Sequence, residues 1–349
     1  MIPLHFVYFN KNKLYIIYFL INLNINKFLG LTMTDKNYNV WILSFFFAFT
    51  FVFIISWIDI KGHDFEDIVQ YIRRMVYLHA GGKEATYSGI LWITSEPLWK
   101  FIIMQLANIF DDYRLAMYLV SFVSMGLHST FLFRRVPFIV AFVFLINPMT
   151  VDLMMAQVRI ALAFGLVLVA YDIKSKKFAI FLLILATLIH AAMPIFLGMY
   201  YILYELNKRI EAKKLYLTAL VMGILMALFM KYGVNSILSA IGDRHADYAN
   251  DSVVSTVSYS IIWILISGLI ATFSDFENEE ERLLATYVIV FMSFFFFAST
   301  MGVFGKRYVS VTMVVIIASL STLPKHIKEG TYVLLFMYNV YLFKFWLVK

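Results

Sequence analysis

Cysteine is absent from the 349 residues, and charged residues make up only 15% of them. The first absence removes thiol nucleophiles, disulfides and cysteine-ligated metal together, while leaving the compartment open. The second sets the chain apart from soluble domains, in which about a quarter of residues are charged. Also missing are a glycine-rich phosphate loop, an HExxH metal helix, a GxSxG nucleophile elbow and any internal sequence repeat of the kind that marks many transporters. What is present is apolar. Hydrophobic residues reach 62%, with 35 phenylalanines and a mean hydropathy of +0.80.

The apolar residues fall into runs covering 38–58, 113–133, 136–151, 156–171, 178–192, 194–206, 215–232, 258–273, 283–301, 308–323 and 332–348. At the ~20 residues that a membrane helix needs, these predict about eleven crossings, between nine and thirteen, in an all-α polytopic membrane protein. The stretch 97–110 is too short to cross and suits an interfacial or re-entrant helix. Two polar segments, 59–96 and 233–257, are long enough to be more than turns. Residues 1–32, rich in Asn, Lys, Ile, Phe and Tyr, carry an apolar core too short to span and no small-residue cleavage site. They are either a peripheral segment or a leader translated from a misassigned start, with Met33 the alternative first residue. Residues 33–349 form one polytopic membrane domain.

The net charge of +7 invites a nucleic-acid reading. The bases, however, lie in short clusters between apolar runs, at 134–135, 174–177, 208–214 and 325–328, which is membrane anchoring rather than a nucleic-acid surface. Treating 97–110 as non-crossing puts all four clusters on one side, as the positive-inside rule requires. Letting it cross inverts every later segment and moves the clusters out. In the first arrangement both long polar segments, the start of the helix containing Arg159 and the His190 end of its neighbour all share the external face.

Several residues on that face are candidates for chemistry. Arg159 stands at the head of an apolar helix, where a cation is unfavourable by roughly 2.5 kcal/mol or more unless it reaches water or meets an anion. It either snorkels to headgroups or binds; Asp152, seven residues earlier, is a possible partner. Arg307 opens the next-to-last helix, and Arg244 sits with His245 and Tyr248 in the second polar segment. Three arginines from distant parts of the chain suggest an anionic ligand such as a lipid diphosphate, because planar guanidinium groups bind phosphate oxygens bidentately. The outer carboxylates are Asp64, Glu66, Asp67 and Glu96. One of them can serve as a base or pair with an arginine. His190 is either a packing residue or an acid–base group. His63, Asp64 and Glu66 make a weak metal set, and no metal is expected.

Taken together, these landmarks resemble the EpsG-like and Wzy-like polysaccharide polymerases of bacterial membranes. The resemblance rests on Gly62-His63-Asp64 with Tyr71, on Ser95-Glu96-Pro97-Leu98, and on Asn147-Pro148 ahead of "QVRIALAFG". It continues through His190 closing an apolar run, Arg244 with Tyr248, and "GKRYVSV", over residues 38–323. The family pattern has glutamine and serine where this chain has Ile160 and Ala191, and a tighter Asp-Tyr pattern where it has Gln70-Tyr71. The resemblance implies a glycosyltransferase-C-like, metal-independent enzyme without a cofactor, in the bacterial cytoplasmic membrane with its active side external. It would polymerise oligosaccharide repeat units carried on undecaprenyl diphosphate, alongside a flippase and a chain-length regulator. Arg159, Arg244 and Arg307, with Tyr248, would hold the lipid diphosphate. Asp64, Glu96 or His190, in falling order of preference, would be the base. An O-antigen ligase or other lipid-linked glycosyltransferase shares this chemistry. A polysaccharide or lipid transporter would instead line a central path with charge at several depths.

The absence of native cysteine makes the sidedness directly testable. Arg244→Cys or Arg307→Cys reacts with an impermeant thiol reagent in intact spheroplasts. Labelling only after lysis would reverse the orientation.

Overall fold

A computed structural model describes residues 35–83, 89, 92, 94–234, 257–276, 278–303 and 305–347. Residues 1–34, and with them Met33, lie outside that set. The described chain is helical and contains no strand. Helix α1 (Asp35–Phe49) runs on through a π-helical turn (Thr50–Ile54). The first polar segment holds two helices, the short α2 (Trp57–Lys61) and α3 (Glu66–His79). There follow α4 (Pro97–Ile109), α5 (Tyr113–Phe133), α6 (Phe138–Leu145), α7 (Pro148–Met155), α8 (Val158–Asp172), α9 (Lys176–Ile189) and α10 (Met193–Asn207). The chain continues with α11 (Ala212–Tyr232), α12 (Val257–Phe273), α13 (Glu279–Thr300), α14 (Lys306–Ser319) and α15 (Lys325–Leu347).

Three helices, α5, α11 and α13, are both long and apolar enough to cross a membrane by themselves, and α6 with α7 makes a fourth if the pair is one broken span. Two further apolar helices, 39–54 and α12, are shorter than that standard. At 1.5 Å per residue the 13 residues of α4 reach only about 20 Å, short of a ~30 Å hydrocarbon layer.

Where the sequence pattern suggests one run at 136–151, the helix breaks and bends by 67° between Leu145 and Pro148. Pro148 has no N–H to continue the ladder, so it starts a new helix. The Asn147 side chain caps that start by accepting from Thr150 N at 2.9 Å. A second break separates α9 from α10 at His190–Ala192, ahead of Pro194.

Helices α5, α13 and α14 form the interior. In α14 every residue from Val309 to Ser319 is buried. Around them α1, α9, α11, α12 and α15 turn large apolar side chains outward, Phe46, Ile184, Leu217, Leu265 and Met337 among them. Outward-facing phenylalanine and leucine on this scale suit a hydrocarbon solvent and not water. Helix α11 approaches α13 closely at Gly223, where an added Cβ would come within 2.7 Å of Val290 O and Ser293 Cβ. A small residue at that crossing lets the two backbones meet.

In the apolar helices charge gathers near the ends. At one end Arg134 and Arg135, following α5, both bind Asp172 at the end of α8. Nearby, Tyr171 donates to Glu280 at 2.6 Å, and Arg282 binds Asn207 at the end of α10. The opposite ends of α5, α8 and α9 carry Arg114, Arg159 and His190. There Asp152 of α7 accepts from Trp346 Nε1 at 3.0 Å and pairs with Lys61 (3.5 Å) and Lys306 (3.6 Å). This corrects the pairing with Arg159 that the spacing allows: α7 and α8 are separate helices, so their faces do not run on from one to the other.

Asp152 thus ties α2, α14 and α15 to α7. Charge-assisted hydrogen bonds of this kind contribute about 1.5–3 kcal/mol. Asp152→Ala therefore lowers the melting temperature of the detergent-solubilised protein by several degrees, and Lys61→Met, which leaves Lys306 in place, lowers it less. An unchanged melting curve for Asp152→Ala would show that the three contacts carry no stability.

Candidate active site

The site forms where three helix ends meet: the start of α4, the start of α8, and the turn between α9 and α10. Glu96 precedes α4 and is 3% exposed. Pro97 opens the helix after it and disfavours the right-handed helical conformation for the residue before. Glu96 adopts the left-handed one, with φ of 58° and ψ of 61°. Among the described residues it is the one non-glycine residue with positive φ. Such a conformation costs a side-chain-bearing residue roughly 1 kcal/mol or more and persists only where surrounding contacts hold it.

Those contacts are visible. Glu96 Oε2 accepts from Arg159 Nη1, and Oε1 accepts from the backbone N–H of Ala191 at 3.1 Å. The carboxylate therefore has a cation on one oxygen and an amide on the other. His190 Nδ1 stands 3.7 Å from Oε1, beyond hydrogen-bond length, and accepts instead from Ala192 N–H at 3.0 Å. That contact leaves the ring proton of a neutral imidazole on Nε2. Arg159 also lies over the ring of Tyr71 from α3, at 5.9 Å from its centroid, within cation–π range. Its Nε–H is buried without an acceptor.

Asp67, one turn before Tyr71, extends the cluster. Burial pushes its carboxyl above the ordinary 3.8, and the nearby Arg307 and Arg159 pull it back only partly. The same two guanidinium groups act on Tyr71, whose hydroxyl is also raised by burial. Arg159 and Arg307, far apart in sequence, thus both act on groups of one helix, α3.

The other residues singled out by the sequence are placed differently. Asp64 forms a bidentate pair with Arg114 at the head of α5, at 2.8 and 3.2 Å, and that bond holds its carboxyl below the ordinary range. The pair is open to solvent, with side chains 38% and 45% exposed. Arg244, His245 and Tyr248 lie outside the described residues. Among the described residues no three His, Asp or Glu side chains converge to hold a metal ion.

Two contributors were not legible as such. Asp67 is one of four carboxylates that composition does not separate; its amphipathic helix, with Ile68 and Met75 buried, was the available signal. The Ala191 amide has no side-chain signature at all.

A family model describing the EpsG family matches residues 42–349, nearly the whole chain. The chain belongs to the EpsG family. EpsG is a family of Wzy-like polysaccharide polymerases, and membership supports a glycosyltransferase-like polymerase acting on lipid-linked sugars in a membrane. No curated protein and no solved structure matches the chain.

The raised Asp67 carboxyl has a consequence for stability. Below pH 3.8 it is protonated in both folded and unfolded chains. Above that the unfolded chain ionises first, so this residue's stabilising contribution is lost as pH rises through its native pKa. Asp67→Asn should thus gain in melting temperature relative to wild type between about pH 4 and 7. A difference that does not vary with pH would mean that Asp67 is not buried as an acid.

Proposed function

We propose that this EpsG-family chain polymerises oligosaccharide repeat units carried on undecaprenyl diphosphate, at the external face of a bacterial cytoplasmic membrane. The observation that supports it best is Arg159. One guanidinium nitrogen is committed to Glu96, while the buried Nε–H has no acceptor. A fixed, partly desolvated donor that acts on the same carboxyl as a second arginine is suited to an oxyanion that grows in the transition state. A departing lipid diphosphate is such a group, and Arg307, Arg244 and Tyr248 are assigned to the same ligand in this reading.

Glu96 holds Arg159 in place, and because both its oxygens are already engaged it serves as a positioning residue before it serves as a base. Asp64 is likewise held ionised by Arg114, which weakens it as a base. His190 is adjacent to Glu96 and presents Nε2. Asp67 joins these candidates for the acceptor hydroxyl, since a carboxyl raised by burial is a stronger base once ionised.

The fold reading that goes with this is a glycosyltransferase-C-like bundle of about eleven passes. Its support is that the basic clusters at 134–135, 174–177 and 208–214 border helix ends joined through Asp172, Glu280 and Asn207. Glu96, Arg159 and His190 border the opposite ends. Guanidinium groups carry the charge without a metal, and a flippase and a chain-length regulator act before and with the enzyme.

A deletion strain is expected to lose the polymer ladder and keep single repeat units on their acceptor. An unchanged ladder sinks the proposal, and unattached long polymer would mark a ligase instead. Arg159→Lys keeps the charge that neutralises Glu96 but loses the planar fork, so polymer formation falls roughly tenfold or more while the protein stays folded. Wild-type activity in that variant would reduce Arg159 to an anchoring residue.

A further inference from the structure

The end of the bundle opposite Glu96 and Arg159 contains a cavity of about 190 Å³ between α1, α5, α8 and α9. Its apolar wall includes Leu127, Val169 and Leu182, and Trp41, Thr130, Arg134 and Asp172 form the polar part of its lining. Two buried donors line it without an acceptor, Trp41 Nε1–H and Arg134 Nε–H. The Arg134 guanidinium also lies 5.6 Å from the centre of the Trp41 ring, so the two donors are neighbours. Two unmet donors in one apolar chamber call for a ligand with an acceptor head and an apolar body.

The charge around the cavity gives the sign of that head. Arg134 and Arg135 share a single carboxylate, Asp172, which leaves the group one positive charge in excess. Lys174, Lys176 and Lys177 are exposed just beyond it. Two of these lysines sit in the first turn of α9, where no acidic residue accompanies them. Cations at a helix N-terminus oppose the helix dipole, and an anion at that place relieves both.

We infer that this cavity is a binding site for one anionic membrane phospholipid. Its phosphate or ester oxygens accept from Trp41 Nε1 and Arg134 Nε, and the first part of an acyl chain fills the space between Leu127, Val169 and Leu182. The bundle already exposes apolar side chains to lipid around α1 and α9, so the ligand enters from the bilayer without crossing water. Its place is distinct from the candidate active site, and its occupancy links the helix carrying Arg159, α8, to α1 and α9 at their far ends.

The test uses the full-length protein, purified in mild detergent and incubated with phosphatidylglycerol, with phosphatidylcholine of the same chains, or with inorganic phosphate. Native mass spectrometry should show one retained phosphatidylglycerol, in preference to phosphatidylcholine, with no displacement by inorganic phosphate. Trp41→Phe keeps the ring and removes one donor, and Arg134→Gln removes the other while Arg135 still holds Asp172. Each lowers retention roughly tenfold, the scale of one charge-assisted hydrogen bond. Val169→Trp fills the chamber and lowers retention without touching a charge. Melting curves recorded without lipid identify which variants are folded, and Trp41→Phe is the mildest of them. Equal retention of the two lipids, displacement by phosphate, or wild-type retention in folded Trp41→Phe and Val169→Trp overturns the site.

Discussion

An ionised carboxylate inside an apolar bundle persists only beside a cation and with its remaining lone pairs engaged, and Glu96 imposes that condition on three distant segments at once. Arg159 is 63 residues away in sequence and the Ala191 amide 95. Removing one partner of such a pair costs about 3–5 kcal/mol, because the other is left charged and buried. The pair therefore fixes where α4, α8 and the α9–α10 turn begin relative to one another. The left-handed backbone at Glu96 is part of the same bargain, since local strain holds only where the surrounding contacts are stronger.

The rest of the bundle follows from keeping polarity out of its middle. Ser121, Ser124, Thr130, Ser293, Thr312 and Ser319 lie inside it, and each hydroxyl donates back to a carbonyl one turn earlier. Those side chains are satisfied within their own helices and ask nothing of their neighbours. His128, also buried, bonds through Nε2 to the carbonyl of Ala161 on the next helix. Ion pairs are pushed to the two ends, where Asp172 gathers two arginines and Asp152 gathers two lysines and an indole.

What the sequence disclosed and what it withheld divide along physical lines. Apolar runs, end charges and the special place of Arg159 are one-dimensional signals, readable because burial of charge is costly at any position in a membrane helix. The break at Asn147-Pro148 was signalled by proline but hidden inside an unbroken apolar run. Partners are three-dimensional. Asp152 lies nearer to Arg159 in sequence than Glu96 does, yet α7 and α8 are separate helices, and Asp152 goes to Lys61, Lys306 and Trp346. Nothing in composition separates Asp64 on the surface from Asp67 in the cluster; only the packing of α3 does that.

Two departures from the family pattern become intelligible in the same terms. Serine is usual after the histidine, and alanine stands here. The contribution of residue 191 to the site is its backbone N–H on Glu96 Oε1, which alanine supplies as well as serine would. Ile160 replaces a glutamine next to Arg159, and its side chain is 3% exposed in the apolar core. A glutamine amide buried there would need its own hydrogen-bond partners, whereas isoleucine needs none. The carboxylate that orients Arg159 comes from Glu96, not from its neighbour along the helix. Glu96 thus holds the guanidinium and the Ala191 amide holds Glu96, while residues 160 and 191 contribute only packing and a backbone group.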